Sequence, residues 1–295
     1  MTEWIWLNGE IMPLAEARVG VEDRGFQFAD GVYEVIRIYN GRLFTLKEHL
    51  DRLERSAREI SIGVPLAQAA LTREIERLLQ KAPMKDGMIY LQLTRGESCR
   101  NHVFPECRPT LLFYARQLPP VPAPGTAPGT KLHSVADERW KRCWIKSIAL
   151  LPNVLAKNAA IAAGADEAVF VDGGVVTECA ASNLFAIFGK QLVTHPVGPK
   201  VLPGITRMVL MDLAKEVDLQ PVQRPMSEAE AMQADEVFIT STTREMSWVS
   251  EWNGRGVAPG RCGPATLRLH QAYQQRVARD AGRRTHATGT PAVRK

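Results

Sequence analysis

Hydrophobic and polar positions alternate with a period of two near the start of the chain, and the alternation breaks twice at Asn-Gly. Trp4-Ile5-Trp6-Leu7 and Glu10-Ile11-Met12 flank Asn8-Gly9, while residues 32–39 and Arg42-Leu43-Phe44 flank Asn40-Gly41. Both residues of that dipeptide tolerate positive φ, so each stretch predicts a β-hairpin. Within 32–39, Tyr33, Val35 and Arg37 share one face of the strand. The period then changes. Thr45-Leu46-Lys47-Glu48 has the form of a capping box, and Leu46, Leu50, Leu53, Ala57 and Ile60 follow at helical spacing. This predicts a helix to about Ile60, with Arg52 well off its apolar stripe. Leu71, Ile75, Leu78 and Leu79 mark a second amphipathic helix, and strands are predicted over 88–94 and 110–116. The loop between those strands is polar and carries Arg95, Arg100 and His102.

Residues 117–130 contain five prolines and two glycines. That density cannot continue a helix or a sheet interior. The expected organisation is therefore a small N-terminal α/β domain at 1–118, an interdomain linker at 119–130 and a larger C-terminal domain at 131–281. In the second part a helix is predicted from 152 or 153 to 163, closed by Gly164, with Lys157 on its apolar side. A hairpin follows over 166–178 about Gly173-Gly174, then a strand pair, 183–188 and 191–194, about Gly189-Lys190. Leu202-Pro203-Gly204-Ile205-Thr206-Arg207 opens a helix carrying Met208, Val209, Leu210 and Leu213. A strand over 236–239 ends in Thr240-Ser241-Thr242-Thr243, and a last helix spans about 264–281. The fold class this implies is mixed α/β (α+β), without internal repeats.

At 295 residues, 45% apolar and 23% charged, the chain is long enough for two cores. No apolar run approaches the ~18 to 20 residues that span a bilayer. The start Met-Thr-Glu-Trp-Ile-Trp lacks the basic and apolar regions of a signal peptide, so a cytoplasmic location is expected, with no membrane partner. The five cysteines are odd in number and scattered, with no C-x-x-C pair and no histidine at ligand spacing; they read as free thiols, and no metal is expected. The net charge of +5 does not point to nucleic acid. Residues 276–295 hold six basic side chains and one acid, so the whole excess lies in a basic tail, expected to be disordered over 282–295, and the body is neutral.

Candidate chemistry centres on Lys146, within Trp140-Lys141-Arg142-Cys143-Trp144-Ile145-Lys146-Ser147. An amine crowded by aromatic and aliphatic neighbours loses hydration of its charged form, and a neutral amine is a nucleophile. Such a lysine can form a Schiff base with a carbonyl, as enzymes do to hold pyridoxal 5'-phosphate (PLP). The plain alternative is a surface lysine, one of 11 in the chain, and Lys157 is the rival amine. Three features suit a phosphorylated pyridine. Gly204-Ile205-Thr206 opens a helix, where free N–H groups and the helix dipole attract phosphate. Thr240-Ser241-Thr242-Thr243 offers hydroxyl and amide donors at a strand end. Glu178 could hold a proton on a pyridine nitrogen, and the cationic ring would then withdraw electrons from Cα. The plain readings of these three are an ordinary cap, a polar strand end and a solvated acid.

Taken in order, these motifs resemble the class IV, or fold-type IV, PLP-dependent aminotransferases, and among them the bacterial D-amino-acid aminotransferases. The resemblance covers about residues 3 to 275. It rests on Asp23-Arg24-Gly25-Phe26-Gln27-Phe28-Ala29-Asp30-Gly31-Val32-Tyr33-Glu34-Val35, His49-Leu50-Asp51-Arg52-Leu53, Thr94-Arg95-Gly96 and Arg100-Asn101-His102. It continues in the Lys146 stretch, Val176-Thr177-Glu178, Ser182-Asn183-Leu184-Phe185, Gly204-Ile205-Thr206-Arg207 and Thr240-Ser241-Thr242-Thr243. The resemblance implies that Lys146 binds PLP and shuttles protons, and that Glu178 partners the ring nitrogen. It likewise implies that Arg52, Ile205, Thr206 and Thr242 hold the phosphate, with Leu202, Gly204 and Ser241 also against the cofactor. Lys157 then becomes structural. Tyr33, Arg100 and His102 would bind the substrate α-carboxylate, the last two reaching in from the other subunit of a homodimer. The implied substrates are a D-amino acid such as D-alanine or D-glutamate and a 2-oxo acid such as 2-oxoglutarate or pyruvate. An L-branched-chain aminotransferase, an (R)-amine transaminase, an aminodeoxychorismate lyase and a silent PLP-binding scaffold are the alternatives. Cys179-Ala180-Ala181-Ser182 departs from the family's glycine and serine-rich run, which removes hydroxyls beside the cofactor.

Overall fold

The computed structural model describes residues 3–257 and 260–282. The tail beyond residue 282 lies outside the described residues. Two sheets carry the fold, one built from the chain before residue 118 and the other from the chain after residue 129.

The first half runs β1 (Trp4–Leu7), β2 (Glu10–Pro13), α1 (Arg24–Phe28), β3 (Gly31–Tyr39), β4 (Arg42–Leu43), α2 (Leu46–Glu59), α3 (Gln68–Lys81), β5 (Gly87–Thr94) and β6 (Thr110–Gln117). Its sheet has the order β2-β1-β6-β5-β3-β4 with antiparallel neighbours throughout. Both Asn-Gly hairpins form, with Asn8, Gly9, Asn40 and Gly41 all at positive φ. The capping box does not. Thr45 takes a left-handed conformation (φ 51°) and makes no cap bond; its hydroxyl donates to the Phe44 carbonyl instead. The tight entry from β4 fixes that residue before the helix can use it. Val32, Ile36 and Ile38 on one face of β3 pack with Leu50 and Leu53 of α2 and Leu71, Ile75 and Leu78 of α3. Helical periodicity in α2 and strand alternation in β3 thus supply the two sides of one core.

The second half runs β7 (Thr130–Ala136), α4 (Leu151–Ala162), β8 (Glu167–Asp172), β9 (Val175–Cys179), β10 (Asn183–Phe188), β11 (Gln191–Thr194), α5 (Ile205–Leu213), β12 (Gln220–Gln223), α6 (Glu228–Ala231), β13 (Glu236–Ser241), β14 (Glu245–Trp252), β15 (Arg255–Gly256) and α7 (Pro264–Gly282). The sheet order is β12-β11-β10-β13-β14-β7-β8-β9, with β15 added to β14. β7 and β14, both unmarked in the sequence pattern, pair in parallel at its centre. One core packs Phe185 and Phe238 with Val209, Leu269 and Tyr273; another joins Leu132, Val169, Val176 and Trp252. The halves interlock, since Tyr39 and Phe44 enter the α5–α7 core and Ile145 enters the first. Among the described residues no helix is long and apolar enough to cross a membrane.

Candidate active site

A cavity of about 670 Å³ opens where β3, the Lys146 stretch, β9, the start of α5 and the end of β13 meet. Lys146 lies on an irregular segment laid along the free edge of β3. The Tyr33 amide donates to the Lys146 carbonyl at 2.9 Å, the Ile148 amide to the Gly31 carbonyl at 3.1 Å, and the Lys146 amide to Ser56 Oγ at 3.2 Å. These bonds hold the backbone and leave the side chain to the cavity. The crowding expected from its neighbours is weaker than the sequence implied, because Ile145 points into the first core while Lys146 is half-buried. Its Nζ stands 4.2 Å from the centroid of the Tyr33 ring and makes no hydrogen bond among the described residues. Lys157 also borders the cavity, but its amine is taken, donating to the Asp166 carbonyl and lying 3.4 Å from Glu167 Oε2.

Glu178, at the end of β9, accepts three hydrogen bonds. Arg139 Nη1 donates to Oε1 at 2.5 Å, and Asn183 Nδ2 and the Leu202 amide donate to Oε2 at 2.9 and 3.1 Å. Arg139 is itself clamped by both oxygens of Asp137 and by the Lys200 carbonyl. Burial pushes the Glu178 carboxyl up to about 7, against the pull of Arg139 and the Leu202 amide. Asn183 ties this acid to the next element, because its amide also donates to the Leu202 carbonyl at 3.0 Å. Gly204 is required beside it: a Cβ there would sit 2.0 Å from Asn183 Oδ1. Gly204 caps α5 without a side-chain bond, so the first amides of that helix face the cavity with Ile205 and Thr206.

Arg52 is buried rather than splayed to solvent. Its Nε and Nη2 donate to Glu34 Oε1 and Oε2 at 2.7 and 2.8 Å, and its Nη1 to the Pro203 carbonyl at 2.8 Å. Three of five guanidinium N–H groups are used, and two remain for a ligand. His49 Nδ1 lies 2.7 Å from Glu34 Oε2. Burial works to raise the Glu34 carboxyl, but Arg52 and His49 offset it and hold the group at about 2. Burial lowers the His49 imidazole, against the pull of the Glu34 carboxylate.

The structure therefore gathers Tyr33, Arg52, Lys146, Glu178, Leu202, Gly204, Ile205, Thr206, Ser241 and Thr242 around one cavity. Arg100 and His102 are not among its lining residues. They lie on an exposed loop, against Phe28, with Arg100 Cζ 4.3 Å from its ring centroid. Asp30 anchors that loop by pairing with Arg24 and Arg95 at 2.9 and 2.7 Å, and Arg24 also donates to the Asn101 carbonyl. Sequence reasoning missed Glu34, Arg139 and Asp30. Glu34 carried a signal, since it is a charge on the face of β3 that Val32, Ile36 and Ile38 bury.

A family model described as Amino-transferase class IV matches residues 31–252. D-alanine aminotransferases of Listeria monocytogenes and Bacillus licheniformis are both 40% identical to this chain. The first match covers 94% of this chain and 97% of that protein, the second 92% and 96%. Among solved structures, the branched-chain amino acid aminotransferase of Escherichia coli superposes with a TM-score of 0.85 at 26% identity, over 98% of each chain. A second branched-chain amino acid aminotransferase, from T.th. and complexed with N-(5'-phosphopyridoxyl)-L-glutamate, gives 0.86 at 27%, over 97% of this chain and 96% of that one.

Proposed function

The chain belongs to the class IV aminotransferases, and from that premise we propose that it moves the amino group of a D-amino acid to a 2-oxo acid, with PLP as cofactor. One observation carries the reading: an amine without a hydrogen-bond partner among the described residues, a buried carboxylate and an uncapped helix N-terminus border the same cavity. The residues present fit PLP. Ser182 Oγ and Thr240 Oγ1 line the cavity and are buried without partners among the described residues, as donors to a ligand would be.

The two spare N–H groups of Arg52, the Ile205 and Thr206 amides and the Thr242 hydroxyl would hold the phosphate, with Leu202, Gly204 and Ser241 beside the cofactor. Glu178 would hold a proton on the ring nitrogen, with Arg139 and Asn183 fixing its two oxygens. Once bound, PLP supplies an electron-withdrawing ring that stabilises negative charge at the substrate Cα. Lys146 Nζ, 4.2 Å from the Tyr33 ring centroid, would both attach the cofactor and take the Cα proton. Tyr33 offers its hydroxyl to the substrate carboxylate.

Arg100 and His102 fit this scheme when a second copy brings them to the cavity. Phe26, Val103 and Phe104 around that loop and Leu151 and Leu155 on α4 are all more than half exposed, an apolar surface that a homodimer would cover. The chain is read as two α/β domains joined through 119–130, working in the cytoplasm. Incubation with D-alanine and 2-oxoglutarate should give pyruvate and D-glutamate in equal amounts, Lys146→Ala should give none, and borohydride should fix the cofactor on Lys146. Attachment to Lys157 would overturn the assignment.

A further inference from the structure

A second cavity, of about 260 Å³, lies beside the first under the proline-rich segment between β6 and β7. Its charged lining consists of Arg37 and Arg244, with no carboxylate. Prolines make up much of the remaining wall and have no N–H to offer, so beside the Thr243 and Ser247 hydroxyls the two guanidiniums are the cationic donors that an anion would meet. Arg37 is 2% exposed. Its Nη2 donates to the Pro119 carbonyl at 3.1 Å, its guanidinium lies 5.3 Å from the Tyr39 ring centroid, and its Nε is buried without a partner. A buried cation with one hydrogen bond and no counter-ion among the described residues is unfavourable until an anion completes it.

Arg244 stands between the two cavities, and it and Thr243 border both. Its Nη1 is 3.5 Å from Glu167 Oε2, the same oxygen that Lys157 Nζ approaches at 3.4 Å. One carboxylate thus faces two cations, and most of the Arg244 donors are left over. Ala180 and Ala181 leave the main cavity short of side-chain bulk on its own wall.

We propose that Arg37 and Arg244 bind a carboxylate, namely the far end of a dicarboxylic amino acid or 2-oxo acid whose reacting end lies beside Lys146. This rests on the amino-transfer reading above. A substrate with a short apolar side chain leaves the second cavity empty, whereas a five-carbon dicarboxylic acid extends past Thr243 and neutralises the arginine pair.

Calorimetric titration of the PLP-loaded protein with glutarate tests this without turnover, because glutarate has two carboxylates and no group to react. Glutarate affinity should fall roughly 10-fold to 100-fold in Arg244→Met and in Arg37→Met, the range for losing a charge-assisted bond. Propionate affinity should fall less. The ratio of kcat/KM for 2-oxoglutarate to that for pyruvate should drop in parallel. Should Arg37→Met fail to fold, as a melting curve would reveal, Arg244→Met carries the test from a partly exposed site. Unchanged glutarate affinity in the folded variants would overturn the proposal. Inorganic phosphate binding as tightly as glutarate, with the same dependence on both arginines, would make this a site for free anions and overturn the substrate assignment. If the protein transferred no amino group at all, the titration would still read the cavity, so the two failures are distinct.

Discussion

Glu178 is pulled in two directions: burial favours its neutral form, and Arg139 with two amide donors favours the carboxylate. A pyridine nitrogen, itself a base, would complete the arrangement, since the proton it holds would let the acid stay ionised next to a cation. Glu178→Gln keeps the shape and removes the charge. It should retain PLP but slow Cα deprotonation by roughly 100-fold to 1000-fold, the usual size of one lost electrostatic contact. Single-turnover rates equal to wild type would remove Glu178 from the role of ring partner. Arg139, clamped by Asp137, is the support this depends on, yet it sits in a polar run with no periodicity to single it out.

The pairing of β3 with α2 shows what the pattern of the chain could and could not reveal. Asn-Gly is a local signal, because the dihedrals those residues tolerate are the ones a hairpin turn needs, and both such hairpins form. Lys146 and Glu178 stood out through residue chemistry and family motif. Their supports did not, because Ser56 reaches Lys146 and Asp137, through Arg139, reaches Glu178 from distant parts of the chain. The capping box at Thr45 failed because tertiary entry geometry overrode a local preference. β7 went unmarked because it begins right at the end of the Pro- and Gly-rich run. Glu34 and Arg52 looked like separate misfits, one on the core face of a strand and one off a helix stripe, and are each other's partners. A carboxyl held near 2 in the fold and near 4.5 when unfolded contributes stability that is full above pH 4.5 and is lost as pH falls towards 2. The contribution is on the order of 3 kcal/mol. Glu34→Gln should therefore show a flatter decline in unfolding free energy between pH 4.5 and 2, and should release PLP more readily because Arg52 is no longer aimed. A decline as steep as that of wild type would contradict this.

In the proposed reading Arg100 and His102 come to the site from a second copy of the chain, since both lie outside the cavity lining while the other assigned residues converge on it. Lys146→Ala and Arg100→Ala are each expected to be defective alone. Mixed and reassembled, they should recover activity in about a quarter of all sites, because half the dimers are hybrids and each hybrid has one intact site. Recovery no greater than the Arg100→Ala background would place Arg100 in its own subunit's site or in none. Stereochemistry separates transfer from a D-amino acid from its alternatives on the same fold. In the proposed reaction Lys146 would take the Cα proton from one side of the cofactor, and the position of the substrate carboxylate would decide which enantiomer presents its hydrogen there. The direct measurement follows the loss of the PLP absorption band on mixing the wild type separately with D- and L-alanine, D- and L-glutamate, L-leucine and (R)-1-phenylethylamine. D-alanine and D-glutamate should react faster than every other compound, and a faster reaction with L-leucine or with the carboxylate-free amine would contradict the account.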